Sequence, residues 1–175
     1  MGLRSMFKAK QPAEREHNLM IQGLHHAAYR CENSELTRKF YEEFLELPLA
    51  RALKINMTKS GRDAAVLHTF YQMGDGSFLA FFEEPGEAFD FKTQRDFDLH
   101  LALEVDHDTL HRMLAKGKAA GIETRGPSDH EFIDSIYFRD PNGYVIELTA
   151  VKAGGPGKAS EARTILADWT ADQHG

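Results

Sequence analysis

Glu147 has the clearest chemical potential in this sequence, because it is a carboxylate in an apolar strand. It follows an Asp-Pro-Asn-Gly turn, and both flanking segments, 135–139 and 144–148, are rich in apolar and aromatic residues, which predicts a β-hairpin. Burying a carboxylate there is costly unless a cation or hydrogen-bond donors compensate its charge. A metal ion would compensate it, provided that other side chains bind the same ion.

Two histidines lie at matching places in the chain and could complete such a site. His26 falls in a predicted strand, 22–31, and His100 falls in another, 98–105. Together with Glu147 they form a set of two imidazoles and one carboxylate, which leaves coordination positions open and suits Fe(II), or Mn(II) or another borderline divalent ion. His25 competes with His26, because adjacent strand residues point to opposite faces and only one of the two can point inward.

A second pair of residues could handle protons beside this site. His130 is predicted to lie in a loop seven residues before Tyr137, which precedes Glu147 by ten residues. A histidine near an open metal position can act as acid, base or charge stabiliser near neutral pH. The tyrosine hydroxyl could hydrogen-bond a metal-bound oxygen. The alternatives are a solvated loop histidine and a tyrosine packed in the core.

The elements that position these residues follow a repeated order of strand, helix and further strands. Asn33 or Ser34 is expected to cap the first helix, strands follow at 64–72 and 77–82, and the second helix is predicted from Asp108 to near Gly121. The offset between the two histidine strands indicates an internal repeat of about 75 residues. Because each half alone would expose one face of a small sheet, the two halves should pack together.

Composition narrows the class of protein. The chain has 175 residues and a net charge of -6, which disfavours nucleic acid as a partner. The single cysteine, Cys31, excludes an internal disulfide framework and fits a reducing cytoplasm. No apolar run approaches the roughly 20 residues of a membrane span, and the first 20 residues lack the apolar core of a signal peptide.

Four segments resemble the vicinal oxygen chelate superfamily, which includes glyoxalase I, bleomycin-resistance proteins and extradiol dioxygenases. They are, in chain order, GLHHAAYRC, RKFYEEFLELPL, HLALEV and IYFRDPNGYVIELT. The resemblance implies an α+β fold of paired βαβββ modules that form a curled mixed sheet around a metal cavity. It divides the chain into a flexible segment (1–20), a two-module domain (21–151, modules at about 21–84 and 97–151) and a tail (152–175) with a possible short helix at 160–171.

Within the superfamily, the residues resemble the extradiol dioxygenases most. His26, His100 and Glu147 would be the metal ligands, and the residues of the extradiol signature occur in order: His130, Ile136, Tyr137, Asp140, Pro141, Gly143 and Glu147. By that resemblance His130 and Tyr137 act next to a small aromatic or oxygen-rich substrate in a homodimer. Two positions of this chain depart from the family pattern: Ser128 replaces the usual residue types two positions before His130, and Glu46 replaces the glycine that usually follows the first helix.

Two other functions remain open on the same resemblance. A glyoxalase-like lyase or isomerase with Ni(II) or Zn(II) would need a fourth, acidic ligand, yet the corresponding position holds Ala80. A binding protein like the bleomycin-resistance proteins would sequester an aromatic ligand without a metal. Ring-cleaving members also carry a further acid–base histidine near the position of Ser77, where the nearest histidine of this chain is His68.

Overall fold

The computed structural model describes residues 21–155 and 157–174, which form two similar halves followed by a helix. The first half contains β1 (His26–Cys31), α1 (Ser34–Arg38) continued by a π-helical segment (Lys39–Phe44), β2 (Leu49–Met57), β3 (Asp63–Gln72) and β4 (Phe78–Glu83). The second contains β5 (Leu101–Glu104), α2 (His107–Ala119), β6 (Thr124–Asp129), β7 (Ile133–Arg139) and β8 (Val145–Val151), and α3 (Ala159–His174) follows.

Each half forms its own four-stranded mixed sheet. The strand order is β1-β4-β3-β2 in the first sheet and β5-β8-β7-β6 in the second, with the first strand of each half parallel to the last. The α+β class and the paired βαβββ modules are therefore confirmed. Among the residues that the structure describes, the two sheets remain separate, so β1 and β5 are both edge strands there.

Several element boundaries differ from those expected. Strands β1 and β5 are shorter than predicted, so His100 lies just before its strand. Strands β2 and β6 were not predicted, because Arg51 and Lys54 interrupt the apolar pattern of β2, and Gly126 and Pro127 interrupt that of β6. Among the described residues, no helix has the length and apolar character needed to cross a membrane.

The core lies between the sheets and the helices. The side chain of Asn33 caps α1 by accepting a hydrogen bond from the backbone N–H of Leu36. The side chain of Asp106 caps α2 by accepting one from the backbone N–H of Thr109. Aromatic side chains of the π-helical segment pack on both sheets: the ring of Tyr41 lies 4.6 Å from that of Phe81, and Phe44 contacts Phe138 edge-on at 5.1 Å. The contact between Phe44 and Phe138 packs the first module against the second.

The turn after β7 joins the modules through buried hydrogen bonds. Asp140 is 2% exposed and accepts hydrogen bonds from the hydroxyl of Tyr41 at 3.0 Å, the side-chain amide of Asn142 at 3.0 Å and the backbone N–H groups of Asn142 and Tyr144. Asn142 also donates to the Thr37 hydroxyl. Burial raises the pKa of Asp140, and these donors oppose the rise because they favour the carboxylate.

The glycine of this turn is required by its surroundings. Gly143 has a φ of 91°, a left-handed conformation that favours glycine. A Cβ atom at this position would clash with the backbone of Lys92, whose N–H donates to the carbonyl of Asn142 at 2.8 Å. The segment that precedes His100 is thus held directly against the turn.

Glu46 adopts the backbone conformation that a glycine would accept most easily. Its φ is 65°, and its carboxylate binds Arg112 and Lys116 of α2 at 2.8 Å each. These two cations lower the pKa of Glu46 to about 2 from its ordinary value of 4.5. Glutamate in place of the family's glycine therefore adds backbone strain, and it also adds an exposed ion-pair contact between the modules.

We expect Glu46→Gly to change the free energy of unfolding by less than about 1 kcal/mol at pH 7. The exposed ion pairs are worth about 0–1 kcal/mol, and relief of the left-handed backbone offsets their loss. The ion pairs of Glu46 stabilise the folded state fully above pH 4.5, and this stabilisation is lost as the pH falls towards 2. The free energy of unfolding of the variant should therefore rise relative to that of the parent in acid. Urea unfolding at pH 7 and pH 3 measures both values, and a loss above about 2 kcal/mol at pH 7 would contradict this balance.

Candidate functional site

Each sheet packs against helices on one side, and no helix among residues 21–155 and 157–174 covers its other side, here called the open face. In the second sheet, Ile136, Ile146 and Leu148 belong to the core, so alternation places their neighbours on the open face. The cross-strand register puts one row of residues side by side on that face: Ala102, Glu147, Tyr137 and Arg125. The hairpin thus brings Glu147 and Tyr137 directly opposite each other.

His100 contacts Glu147 at the edge of this row. The Nε2 atom of His100 lies 3.1 Å from Oε2 of Glu147, whose side chain is almost fully buried. The Nδ1 atom of His100 lies 2.7 Å from the backbone carbonyl of Asp96. A carbonyl can only accept, so Nδ1 carries a proton, and in the neutral form of the ring the Nε2 lone pair faces the carboxylate.

Two lone pairs facing each other at this distance repel unless a proton or a cation lies between them. The separation of 3.1 Å allows one ion to bind both atoms at the distances of roughly 2.0–2.2 Å that are usual for nitrogen and oxygen ligands. The carbonyl of Asp96 accepts from Nδ1 and fixes the ring, as backbone carbonyls commonly do for metal-binding histidines. The donor pair of His100 and Glu147 therefore fits a divalent ion.

Tyr137 and His130 form a hydrogen-bonded chain with Glu147. The Tyr137 hydroxyl lies 3.4 Å from Oε1 of Glu147 and 2.8 Å from Nε2 of His130. Burial, followed by the charge of Glu147, raises the pKa of Tyr137, so the hydroxyl keeps its proton over the physiological range. The structure thus brings together four of the predicted site residues: His100, Glu147, Tyr137 and His130.

These residues line a cavity of about 390 Å³ on the open face. Sequence reasoning missed two charged residues of this cavity, Asp96 and Arg125, which pair through two hydrogen bonds of 2.7 and 2.8 Å. The Arg125 guanidinium also lies 5.1 Å from the centre of the Tyr137 ring, and its hydrogen bonds lower the pKa of Asp96. No local signal marks this pair, because its members lie on a loop and on the unpredicted strand β6.

His26 lies on the other sheet. It starts β1, opposite Phe78 in β4, and its ring lies 5.9 Å from that of Phe70. His25 precedes the strand, and its Nδ1 atom is 2.8 Å from that of His26. Both are exposed. In the part of one chain that the structure describes, no three metal-binding side chains lie close enough to hold an ion, so His26 remains a predicted ligand.

The comparison with protein families covers both modules. Residues 23–148 match the model of the Glyoxalase/Bleomycin resistance protein/Dioxygenase superfamily. Among curated proteins, the metallothiol transferase FosB of Shouchella clausii (strain KSM-K16) is 26% identical over 140 residues, which cover 74% of this chain and 80% of FosB.

Solved structures share the fold. A glyoxalase/dioxygenase from Nostoc punctiforme has a TM-score of 0.58 and 23% identity, over 82% of this chain and 99% of its own. A FosX mutant from Listeria monocytogenes, complexed with Mn(II) and 1S,2S-dihydroxypropylphosphonic acid, has a TM-score of 0.56 and 20% identity, over 77% of this chain and 96% of its own. Because the family model matches residues 23–148, most of the chain, this chain belongs to the Glyoxalase/Bleomycin resistance protein/Dioxygenase superfamily.

Proposed function

We propose that this protein is a metal-dependent enzyme whose small substrate binds through two adjacent oxygens. One observation carries the proposal: the Nε2 atom of His100, whose Nδ1 is held by a backbone carbonyl, lies 3.1 Å from the buried carboxylate of Glu147. Fe(II) is the first candidate for the ion because two histidines and one carboxylate suit it. Mn(II), which the FosX relative holds, is the next candidate, and Ni(II) and Zn(II) follow.

We infer further that the protein is a homodimer and that His26 comes from a second copy of the chain. Within the described part of the chain, strands β1 and β5 each have a strand partner on one side only. Large exposed apolar side chains flank both halves of the site, Ile21 and Leu24 beside His26 and Phe97 and Leu99 beside His100. Such clusters mark protein interfaces, and a second copy that covers them would bring His26 to the His100–Glu147 pair.

The protein's own residues orient the substrate and handle its proton. When bound, the ion would supply Lewis-acid chemistry that lowers the pKa of a substrate hydroxyl. Tyr137 keeps its own proton and can donate a hydrogen bond to a substrate oxygen or to Glu147. His130, exposed at the mouth of the cavity and in contact with the Tyr137 hydroxyl, is placed to accept a proton and pass it to water.

Ring cleavage by an extradiol dioxygenase is the first candidate reaction. The contact of His130, Tyr137 and Glu147 in space, which matches their order in the signature, supports it. At the position of the glyoxalase acid, Ala80 lies between Ala28 and Phe70 in the sheet, and this favours three protein ligands over four. Likeness to the metallothiol transferase FosB, together with the phosphonate bound in the FosX structure, supports a second candidate, transfer of a thiol to an oxygen-rich phosphonate.

The substrate is proposed to be a small molecule, with no role for nucleic acid or membrane. A reducing cytoplasm is the proposed place of action. The buried Cys31 thiol, which forms no disulfide, supports it.

Metal analysis tests the site directly. We expect the parent protein to bind divalent metal, and His100→Ala and Glu147→Ala each to lower its affinity by more than roughly 100-fold, because loss of outer-shell partners alone costs roughly 10- to 100-fold. His111→Ala, an exposed histidine on α2, is the matched control and should bind like the parent. Equal metal content in all four proteins would rule out the His100–Glu147 site.

The reaction is separated by two assays on the Fe(II)- and Mn(II)-loaded protein. Oxygen uptake with a series of catechols measures ring cleavage. Consumption of an added small thiol, such as cysteine, in the presence of fosfomycin measures thiol transfer. Uptake that disappears in Glu147→Ala supports the dioxygenase. Thiol loss without oxygen uptake would assign the protein to the second reaction.

A further inference from the structure

His100 lies at the end of the segment that joins the two modules. Residues 84–100, here called the module linker, run from the end of β4 to the start of β5 and contain no helix or strand. Loops are the most mobile parts of a fold, whereas a metal ligand has to hold its donor atom in one geometry. Contacts from outside the module linker must therefore fix its last residues if His100 is to bind an ion.

The middle of the module linker is attached to the second module near the turn after β7. The backbone N–H of Lys92 donates to the carbonyl of Asn142 at 2.8 Å. The guanidinium of Arg139 lies 3.5 Å from the carbonyl of Gln94. Both contacts precede the proposed ligand by several residues, so they leave the direction of its imidazole to other groups.

Closer to His100, the module linker is bound by Arg125 of β6. The Nη1 and Nη2 atoms of Arg125 donate to Oδ2 and Oδ1 of Asp96 at 2.7 and 2.8 Å. Two parallel hydrogen bonds fix the plane of a carboxylate, which a single ammonium group does not. The guanidinium is itself held over the ring of Tyr137, its partner in the register, at 5.1 Å. Asp96 is thus fixed to the sheet that carries Glu147.

Asp96 holds His100 through a different atom. Its backbone carbonyl accepts a hydrogen bond from Nδ1 of His100 at 2.7 Å, while its carboxylate binds Arg125. The Nε2 atom on the other side of the ring lies 3.1 Å from Oε2 of Glu147. A movement of Asp96 that broke its contact with Arg125 would also move its carbonyl, because both groups belong to one residue. The direction of the His100 ring therefore depends on the Arg125–Asp96 pair.

We propose that Arg125 is a positioning residue for His100 and acts through Asp96. Its two hydrogen bonds hold the Asp96 carbonyl against the imidazole. The carbonyl keeps a proton on Nδ1, so that Nε2 of the neutral ring faces Glu147. The inference rests on the proposed function, in which His100 is a metal ligand, and it explains how a residue of a long loop can serve as one.

The effect of charge at this position has the opposite sign from the effect of geometry. Loss of the Arg125 cation near the site would by itself strengthen the binding of a positive ion. Loss of the positioning contacts would weaken it, because the ring of His100 could turn its donor atom away from Glu147. Arg125→Gln therefore separates the two effects, and Arg125→Lys keeps the charge while it loses the bidentate geometry.

Two measurements on the full-length protein test the positioning role. The first is nitrogen NMR of the metal-free protein in mildly alkaline buffer, with the His100 signals identified by their loss in His100→Gln. We expect the parent ring to carry its proton on Nδ1 and the ring in Arg125→Gln to exchange between both tautomers. The second is Zn(II) affinity, measured by competition with a coloured chelator. We expect Arg125→Gln to bind Zn(II) about tenfold more weakly than the parent, and Arg125→Lys about threefold more weakly.

Arg95→Gln is the matched control, because it removes the same charge from the module linker. Arg95 also binds a carboxylate through two hydrogen bonds, but its partner is Asp98 and not Asp96. Its variant should keep the parent tautomer at His100 and a Zn(II) affinity within about twofold of the parent. A melting temperature close to that of the parent establishes that each variant is folded.

Failure of the positioning role is distinguishable from failure of the metal site. An unchanged tautomer in Arg125→Gln, a Zn(II) affinity equal to or above that of the parent, or equal effects of Arg125→Gln and Arg95→Gln would overturn the positioning role and leave the metal site intact. A parent protein that binds no Zn(II) would overturn the proposed function, and the tautomer of the metal-free protein would then decide the positioning role alone. If Arg125→Gln does not fold, Arg125→Lys decides both measurements.

Discussion

A hybrid dimer of two variants, each of which lacks one predicted metal ligand, should bind half as much metal as the parent dimer. The variants are His26→Ala and Glu147→Gln, each of which should bind little metal alone. If His26 of one copy serves the His100–Glu147 pair of the other, a dimer with one variant of each kind contains one doubly altered site and one intact site. If all three ligands came from one chain, the hybrid would contain no intact site.

The experiment uses two affinity tags on co-expressed chains, so that tandem purification yields hybrids only, and the readout is metal bound per dimer. The control hybrid combines His100→Ala with Glu147→Gln, whose changes lie on the same half of the site. It should bind no metal, because every site lacks a ligand. If the parent dimer binds metal and the His26→Ala/Glu147→Gln hybrid binds none, the second copy does not supply His26.

The hairpin was predictable because its information is local. Glu147 and Tyr137 lie on opposite arms of the Asp140–Gly143 turn, so turn position and strand alternation place them in one register pair. His130 lies between β6 and β7, and its Nε2 atom is 2.8 Å from the Tyr137 hydroxyl. The contacts among these residues were thus predictable from their spacing, and their chemical roles stay predictions.

Other features depend on contacts that spacing does not encode. Whether His25 or His26 starts β1 depends on pairing with Phe78, more than 50 residues later. Asp96 and Arg125 meet across 29 residues. The two sheets also remain separate in one chain, so matching positions of His26 and His100 in a repeat do not by themselves bring them together.

The largest stability effect is expected at Asp140. In Asp140→Ala, the Tyr41 hydroxyl, the Asn142 amide and two backbone N–H groups lose their acceptor in a buried place. Each buried donor left unpaired costs about 1–3 kcal/mol, partly relieved by water and rearrangement, so we expect a loss of about 3–5 kcal/mol in the free energy of unfolding. Urea denaturation followed by fluorescence measures it.

The matched control is Asp98→Ala, which removes an exposed carboxylate paired with Arg95 and should cost less than about 1 kcal/mol. Tyr41→Phe removes a single donor and should cost about 1–2 kcal/mol. Because Tyr41 belongs to the first module and Asp140 to the second, the double variant Tyr41→Phe/Asp140→Ala should lose less than the sum of the single variants. Strict additivity, or an Asp140→Ala loss no larger than that of Asp98→Ala, would show that this turn does not hold the modules together.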